Sequence, residues 1–177
     1  MKNMNELPFN LFLIGFMGTG KSALASCLHR QYHMELVEMD EKIAEQEGMS
    51  IPEIFEQKGE PYFRDAETAL LRALGTKKGA VVSCGGGVPL RECNVEAMRQ
   101  SGKIVLLTAS PKTVKKRVSG NRNRPLLRNR ESVESIRELM EERRPRYEQA
   151  ADLVIATDGK TVEEICGELI RRLQDEK

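Results

Sequence analysis

Gly15-Phe16-Met17-Gly18-Thr19-Gly20-Lys21-Ser22 is the stretch on which the fold of this chain turns. It fits the pattern G-x-x-x-x-G-K-[ST]. Ahead of it runs Phe9-Asn10-Leu11-Phe12-Leu13-Ile14, an apolar segment that reads as a buried strand. Behind it runs Ala23-Leu24-Ala25-Ser26-Cys27-Leu28, which reads as a helix. Strand, glycine loop and helix together turn a string match into a mechanism. The glycines let backbone N–H groups turn inward around an anion, and the new helix adds the positive end of its dipole. Gly18, Thr19, Gly20, Lys21, Ser22 and Ala23 are the expected nucleotide-binding residues. Lys21 reaches the β- and γ-phosphates of a nucleoside triphosphate, and the Ser22 hydroxyl takes the Mg²⁺ that rides on them. The motif names a phosphate donor and leaves the acceptor open.

Length and charge narrow the acceptor. At 177 residues the chain is expected to form a single domain, 1–177, with a substantial core. Lys and Arg number 28 against 27 Asp and Glu, a formal charge of +1, so no basic excess argues for nucleic acid or a membrane surface. The first eight residues are mixed polar and lack the apolar centre of a secretory signal. No apolar run approaches the roughly 20 residues of a membrane span. The four cysteines show no C-x-x-C spacing, which suits reduced thiols in a cytoplasmic protein and not a metal site. A small-molecule partner and a monomer are the expectation.

Residues 35–39 read as a second strand. Side chains alternate along a strand, so Glu38 and Asp40 project to one side at its C-terminal end, where open α/β sheets bind ligands. Asp40 also suits the N-cap of a helix over 41–47. Ser50 and Glu53 have capping-box spacing for the next helix. A longer helix over 60–74 turns Phe63, Ala66, Leu70, Ala73 and Leu74 to one face. Arg64 and Glu67, three apart on it, can pair. They form either a surface ion pair of little consequence or an arginine held by its glutamate to grip an acidic substrate. The third strand, 80–83, runs into Cys84-Gly85-Gly86-Gly87, with no Asp at its end to position Mg²⁺. Three bare residues there let a ligand approach the backbone; a flexible turn is the other reading.

A helix over 91–100, a strand over 103–107 and a helix from Pro111 to Val118 follow. Residues 120–130 are rich in Arg and Asn and break the helical pattern, as a cationic lid over a triphosphate would; a plain solvated loop is the other reading. The long helix over 131–150 carries Val133, Ile136, Met140 and Tyr147 along one stripe, and Arg143 falls within it. An inward arginine must find an anion. Pro145 is expected to kink this helix. A fifth strand over 152–156 and a core-facing helix over 161–173 close the chain. His29 and His33 are expected at a helix end without partners.

Five strands alternating with helices behind a P-loop predict an α/β fold with a parallel sheet. The succession of the P-loop, E-M-D-E-K-I (38–43), S-I-P-E-I-F-E-Q-K-G-E-P-Y-F-R (50–64), the triple glycine, R-P-L-L (124–127) and R-R-P-R-Y (143–147) resembles the shikimate kinase family over most of the chain. The resemblance implies a three-layer α/β/α P-loop NTPase fold with a central five-stranded parallel sheet in the order 2-3-1-4-5. It also implies a substrate-binding region about 38–75 and a lid about 119–131. ATP with Mg²⁺ would phosphorylate the 3-hydroxyl of shikimate. Asp40 would bind the substrate hydroxyls, Arg64 and Arg143 its carboxylate, and Gly86 would touch it through the backbone. Arg124 would reach the transferring phosphate and Arg117 would flank the adenine. Glu38 stands where the family usually carries Asp, and would help hold Mg²⁺ through water beside Ser22. Lys21, Asp40 and Arg124 would be the catalytic residues. A gluconate-type sugar-acid kinase on the same fold, or a nucleotide-dependent switch protein, are the alternative readings. The second lacks an N-K-x-D guanine motif, and an RNA-binding role would rest on residues 122–130 alone.

Overall fold

The computed structural model of the chain describes residues 7–119 and 132–175. Strand β1 (Asn10–Ile14) is buried along its whole length. That follows from its place: it is the central strand of a five-stranded sheet in the order β2-β3-β1-β4-β5, with every pair parallel. The flanking strands are β2 (Glu35–Glu38), β3 (Ala80–Ser83), β4 (Gly102–Thr108) and β5 (Leu153–Ala156). A parallel sheet covered on both faces needs apolar residues at every position of its inner strands, and β1 shows the division directly. Phe12 and Ile14 enter one core, Leu11 and Leu13 the other.

The second core is closed by helix α1 (Lys21–Tyr32) and helix α8 (Val162–Asp175), which supply Leu24, Leu28, Ile165 and Leu169. The first core lies under α4 (Glu60–Leu74), α5 (Glu92–Ser101), α6 (Pro111–Val118) and α7 (Val133–Ala150), with α2 (Met39–Glu47) and α3 (Ile51–Lys58) at its rim. Three layers and the strand order are as expected. Burying two separate apolar faces makes the C-terminal edge of the sheet the one place where loops from β1, β2 and β3 meet without a helix over them.

Local signals act where the sequence puts them. Ser50 accepts from Glu53 N–H while Glu53 accepts from Ser50 N–H at 2.7 Å, a complete capping box for α3. Pro111 opens α6 behind the capping Ser110.

Several expectations change. Asp40 is neither on the strand nor an N-cap. The chain enters α2 at Met39, so Asp40 lies in the first helical turn, where a carboxylate complements the dipole. On α4, Ala73 is exposed, and Leu71 takes the buried position. Pro145 lies inside α7 (Val133–Ala150). His29 is not without a partner, since its Nδ1 lies 2.8 Å from the Met34 carbonyl. A 3-10 turn at Val88–Leu90, unforeseen in the sequence, follows the triple glycine. Most of the expected lid, with Arg124, lies outside the described residues.

Candidate active site

The loop between β1 and α1 takes its shape from glycine. Gly18 and Gly20 have φ of 77° and 98°, a left-handed region where a side chain would be strained. Gly20 is the residue from which α1 starts, so the first free N–H groups of that helix open onto the loop. Thr19 braces the turn from inside. It is 1% exposed, and its hydroxyl donates to the Phe16 carbonyl at 2.7 Å. Lys21 folds back over the loop, its ammonium donating to the carbonyls of Gly15 at 2.7 Å and Phe16 at 3.0 Å. Its positive charge is thus held at the mouth of the anion nest.

Beside the loop, three oxygens from separate elements converge. Ser22 Oγ donates to Glu38 Oε2 at 3.1 Å and lies 3.4 Å from Ser83 Oγ. Burial raises the Glu38 carboxyl above its ordinary range, against the hydrogen bonds from Ser22 and Ser83. A partly buried carboxylate among hydroxyls is what a hard divalent cation stabilises, and Mg²⁺ sites draw on one or two carboxylates plus substrate phosphates. Ser83 holds the end of β3, where no Asp is present. No group of three or more His, Cys, Asp or Glu side chains suited to a metal is found among the described residues. The donors therefore fit a cation shared with a nucleotide and not one caged by protein.

Across a cavity of about 730 Å³ lies a second cluster, built on the turn Gly85-Gly86-Gly87. Here the missing side chains matter for space. A Cβ on Gly85 would meet Glu67 Oε1 at 2.8 Å and Asp40 Oδ1 at 3.4 Å. One on Gly86 would meet an Arg143 guanidinium nitrogen at 3.4 Å, and one on Gly87 would collide with the Arg64 guanidinium, its Cζ 2.6 Å away. Two guanidiniums and two carboxylates are packed onto bare backbone.

The Arg64–Glu67 pair is no surface pair. Glu67 is fully buried, and Arg64 donates to its Oε2 at 2.9 Å and to Glu60 at 3.1 Å. Burial pushes the Glu67 carboxyl up to about 7 despite Arg64 beside it. Burial also acts against the charge on Arg64, but Glu67 and Glu60 outweigh it and hold the guanidinium above its ordinary value. Two buried polar side-chain atoms among the described residues have no hydrogen-bond partner: Glu67 Oε1 and one terminal nitrogen of Arg143. Both residues line the cavity. A buried guanidinium N–H without an acceptor is expensive, and an anion is the group that could satisfy it.

A family model described as shikimate kinase matches residues 17–174.

The chain belongs to the shikimate kinase family.

A shikimate kinase of Sulfurihydrogenibium sp. (strain YO3AOP1) is 39% identical over 165 residues, covering 93% of this chain and 98% of that protein. One of Geobacter sulfurreducens is 42% identical over 160 residues, covering 90% and 88%. The solved shikimate kinase from Acinetobacter baumannii in complex with shikimate matches with a TM-score of 0.92 at 31% identity, covering 99% and 98% of the two chains. That from Aquifex aeolicus matches with a TM-score of 0.82 at 35% identity over 94% and 97%.

For a member of the shikimate kinase family, most of the residues singled out in the sequence come to one place. Gly18, Gly20, Lys21, Ser22, Ala23, Glu38, Asp40, Arg64, Gly86, Arg117 and Arg143 all line the cavity. Thr19 does not; its side chain works inside the loop. Arg117 reaches from α6 to the P-loop, donating to the Gly18 carbonyl and the Thr157 hydroxyl, both at 3.1 Å. Sequence reasoning passed over Ser83, whose signal was a hydroxyl at the end of a central strand. It also missed the apolar wall of Ile51, Pro52, Phe55 and Phe63, which resembles any buried helix face until the fold is known.

Proposed function

We propose that this protein transfers the γ-phosphoryl group of ATP to the 3-hydroxyl of shikimate, giving shikimate 3-phosphate for aromatic amino-acid biosynthesis. The observation that carries the reading is the buried, unpartnered nitrogen of Arg143, a residue that lines the same cavity as the P-loop and Arg64. A cyclic hydroxy acid needs planar bidentate donors at its carboxylate, which arginine supplies and lysine does not. It also needs an acceptor at its hydroxyls, for which Asp40 is suited.

In the reaction the hydroxyl oxygen bonds to the γ-phosphorus and the bond from that phosphorus to the ADP oxygen breaks. The hydroxyl proton leaves to an acceptor, and Asp40 is the group poised to orient that hydroxyl and take the proton. Such transfers depend mainly on positioning and charge stabilisation. Gly18, Gly20 and the start of α1 hold the phosphates through backbone N–H groups, and Lys21 neutralises charge on the β- and γ-oxygens. Ser22, and Glu38 through water, would hold Mg²⁺, which would supply positive charge against the phosphates. Arg117 closes the nucleotide side, and Arg124 in the lid is assigned to the transferring phosphate. A monomer in the cytoplasm, without a nucleic-acid partner, completes the reading; no helix among the described residues is long and apolar enough to cross a membrane.

The test is ADP release from ATP and Mg²⁺ with shikimate, quinate, gluconate or no acceptor. Turnover with shikimate and not with the others is expected. Turnover with gluconate alone would transfer the mechanism to a sugar-acid kinase, and release without any acceptor would sink the kinase reading.

A further inference from the structure

The triple glycine is held by an arrangement that none of the roles above uses. Gly85 C=O accepts from Val88 N–H at 3.1 Å and Gly87 C=O from Leu90 N–H at 3.2 Å, both within the 3-10 turn. Gly86 C=O cannot be reached from that turn. It accepts instead from the Tyr147 hydroxyl, 2.7 Å away and 61 residues on in the chain. Tyr147 is 4% exposed, and burial raises its phenol pKa against the pull of the Arg143 guanidinium one helical turn earlier.

The peptide between Gly86 and Gly87 is planar, so fixing its carbonyl also fixes the Gly87 N–H. With a glycine on each side, that plane has little steric resistance to turning over. The same Tyr147 oxygen would be 3.6 Å from a Cβ on Gly86, and the Arg143 nitrogen 3.4 Å from it. One hydroxyl therefore sits beside both the peptide and the Arg143 guanidinium.

We propose that Tyr147 is a positioning residue for the acceptor: its hydroxyl locks the Gly86–Gly87 peptide plane and sets the Arg143 guanidinium beside it for the acceptor's carboxylate. The inference rests on the function proposed above for the identity of that acceptor, but not for the lock itself.

Tyr147→Phe removes one oxygen and keeps the packing of the ring. In the free protein, the amide signals of Gly86 and Gly87 in a nitrogen–proton correlation spectrum should broaden or split, and their hydrogen exchange should quicken. In steady-state assays the KM for shikimate should rise about 10- to 100-fold while the KM for ATP stays within about twofold, a split that general loosening of the fold would not produce. Unchanged glycine amides would overturn the lock whatever the acceptor is. An unchanged shikimate KM in an enzyme that uses shikimate, or an equal rise for ATP, would overturn the positioning role. Altered amides in a chain whose wild type ignores shikimate would leave the lock standing and remove only the proposed substrate.

Discussion

The two walls of the cavity are made in different ways. The donor wall is one contiguous loop, residues 15–22, working through backbone N–H groups, with one lysine and one serine added. The acceptor wall is assembled from α2, α4, α7 and the turn after β3, through charged side chains set against glycine. A backbone cradle needs no desolvated charge while it waits. On the acceptor wall, Glu67 Oε1 and an Arg143 nitrogen have no hydrogen-bond partner. The contrast suits the tasks: triphosphates are alike in every kinase, whereas the acceptor is what one kinase must tell from another.

The comparison can be broken at either wall. The largest effect belongs to Lys21→Ala, which removes the only side-chain cation of the P-loop itself. ADP release at saturating substrates should fall about a thousandfold. A loss below tenfold would mean that the loop's amides suffice. Next comes Arg143→Ala. The KM for shikimate should rise about a hundredfold and the KM for ATP should hold; equal losses would show that the walls are not separate.

Gly87→Ala asks whether the acceptor wall depends on bare backbone. Gly87 has φ of −87°, which any residue adopts, so the added methyl acts only by displacing Arg64. A rise of about tenfold in the KM for shikimate is expected, and a neutral result would mean that Arg64 can move aside at no loss.

The smallest effect concerns Glu67. Its carboxyl binds a proton up to pH about 7 in the folded chain and only to about 4.5 when unfolded. Its contribution to stability is thus fully present below pH 4.5 and lost as pH rises through 7. Glu67→Gln removes this slope. In urea titrations the stability of the wild type relative to the variant should decline by roughly 1–3 kcal/mol between pH 4.5 and neutrality. A flat difference would show that Arg64 keeps Glu67 ionised throughout.

What was legible beforehand follows the same division. The P-loop could be read because its geometry is carried by neighbouring residues, each glycine sitting where the backbone turns. Arg143 could be suspected because a charge in an apolar stripe is visible without coordinates. Period-two alternation put Asp40 at or near the end of a strand over 35–39; the chain has already turned into α2 at Met39, and Asp40 lines the cavity beside Glu38 all the same. Glu67 could be paired with Arg64 from spacing, but spacing does not tell a solvated pair from one sealed beneath a glycine turn. Nothing in the sequence linked Tyr147 to Gly86.

By itself, then, the sequence determined the parallel α/β architecture, the triphosphate loop and, through its succession of motifs, the family. Those depend on hydrophobic period, glycine placement and short-range spacing, all local properties of the chain. The tertiary structure alone decided how Arg64, Glu67, Arg143 and Tyr147 converge on three glycines, and which of their atoms stay unpaired. Burial and hydrogen bonding are properties of the assembled surroundings, and here the Tyr147 hydroxyl and the Gly86 carbonyl it holds are 61 residues apart.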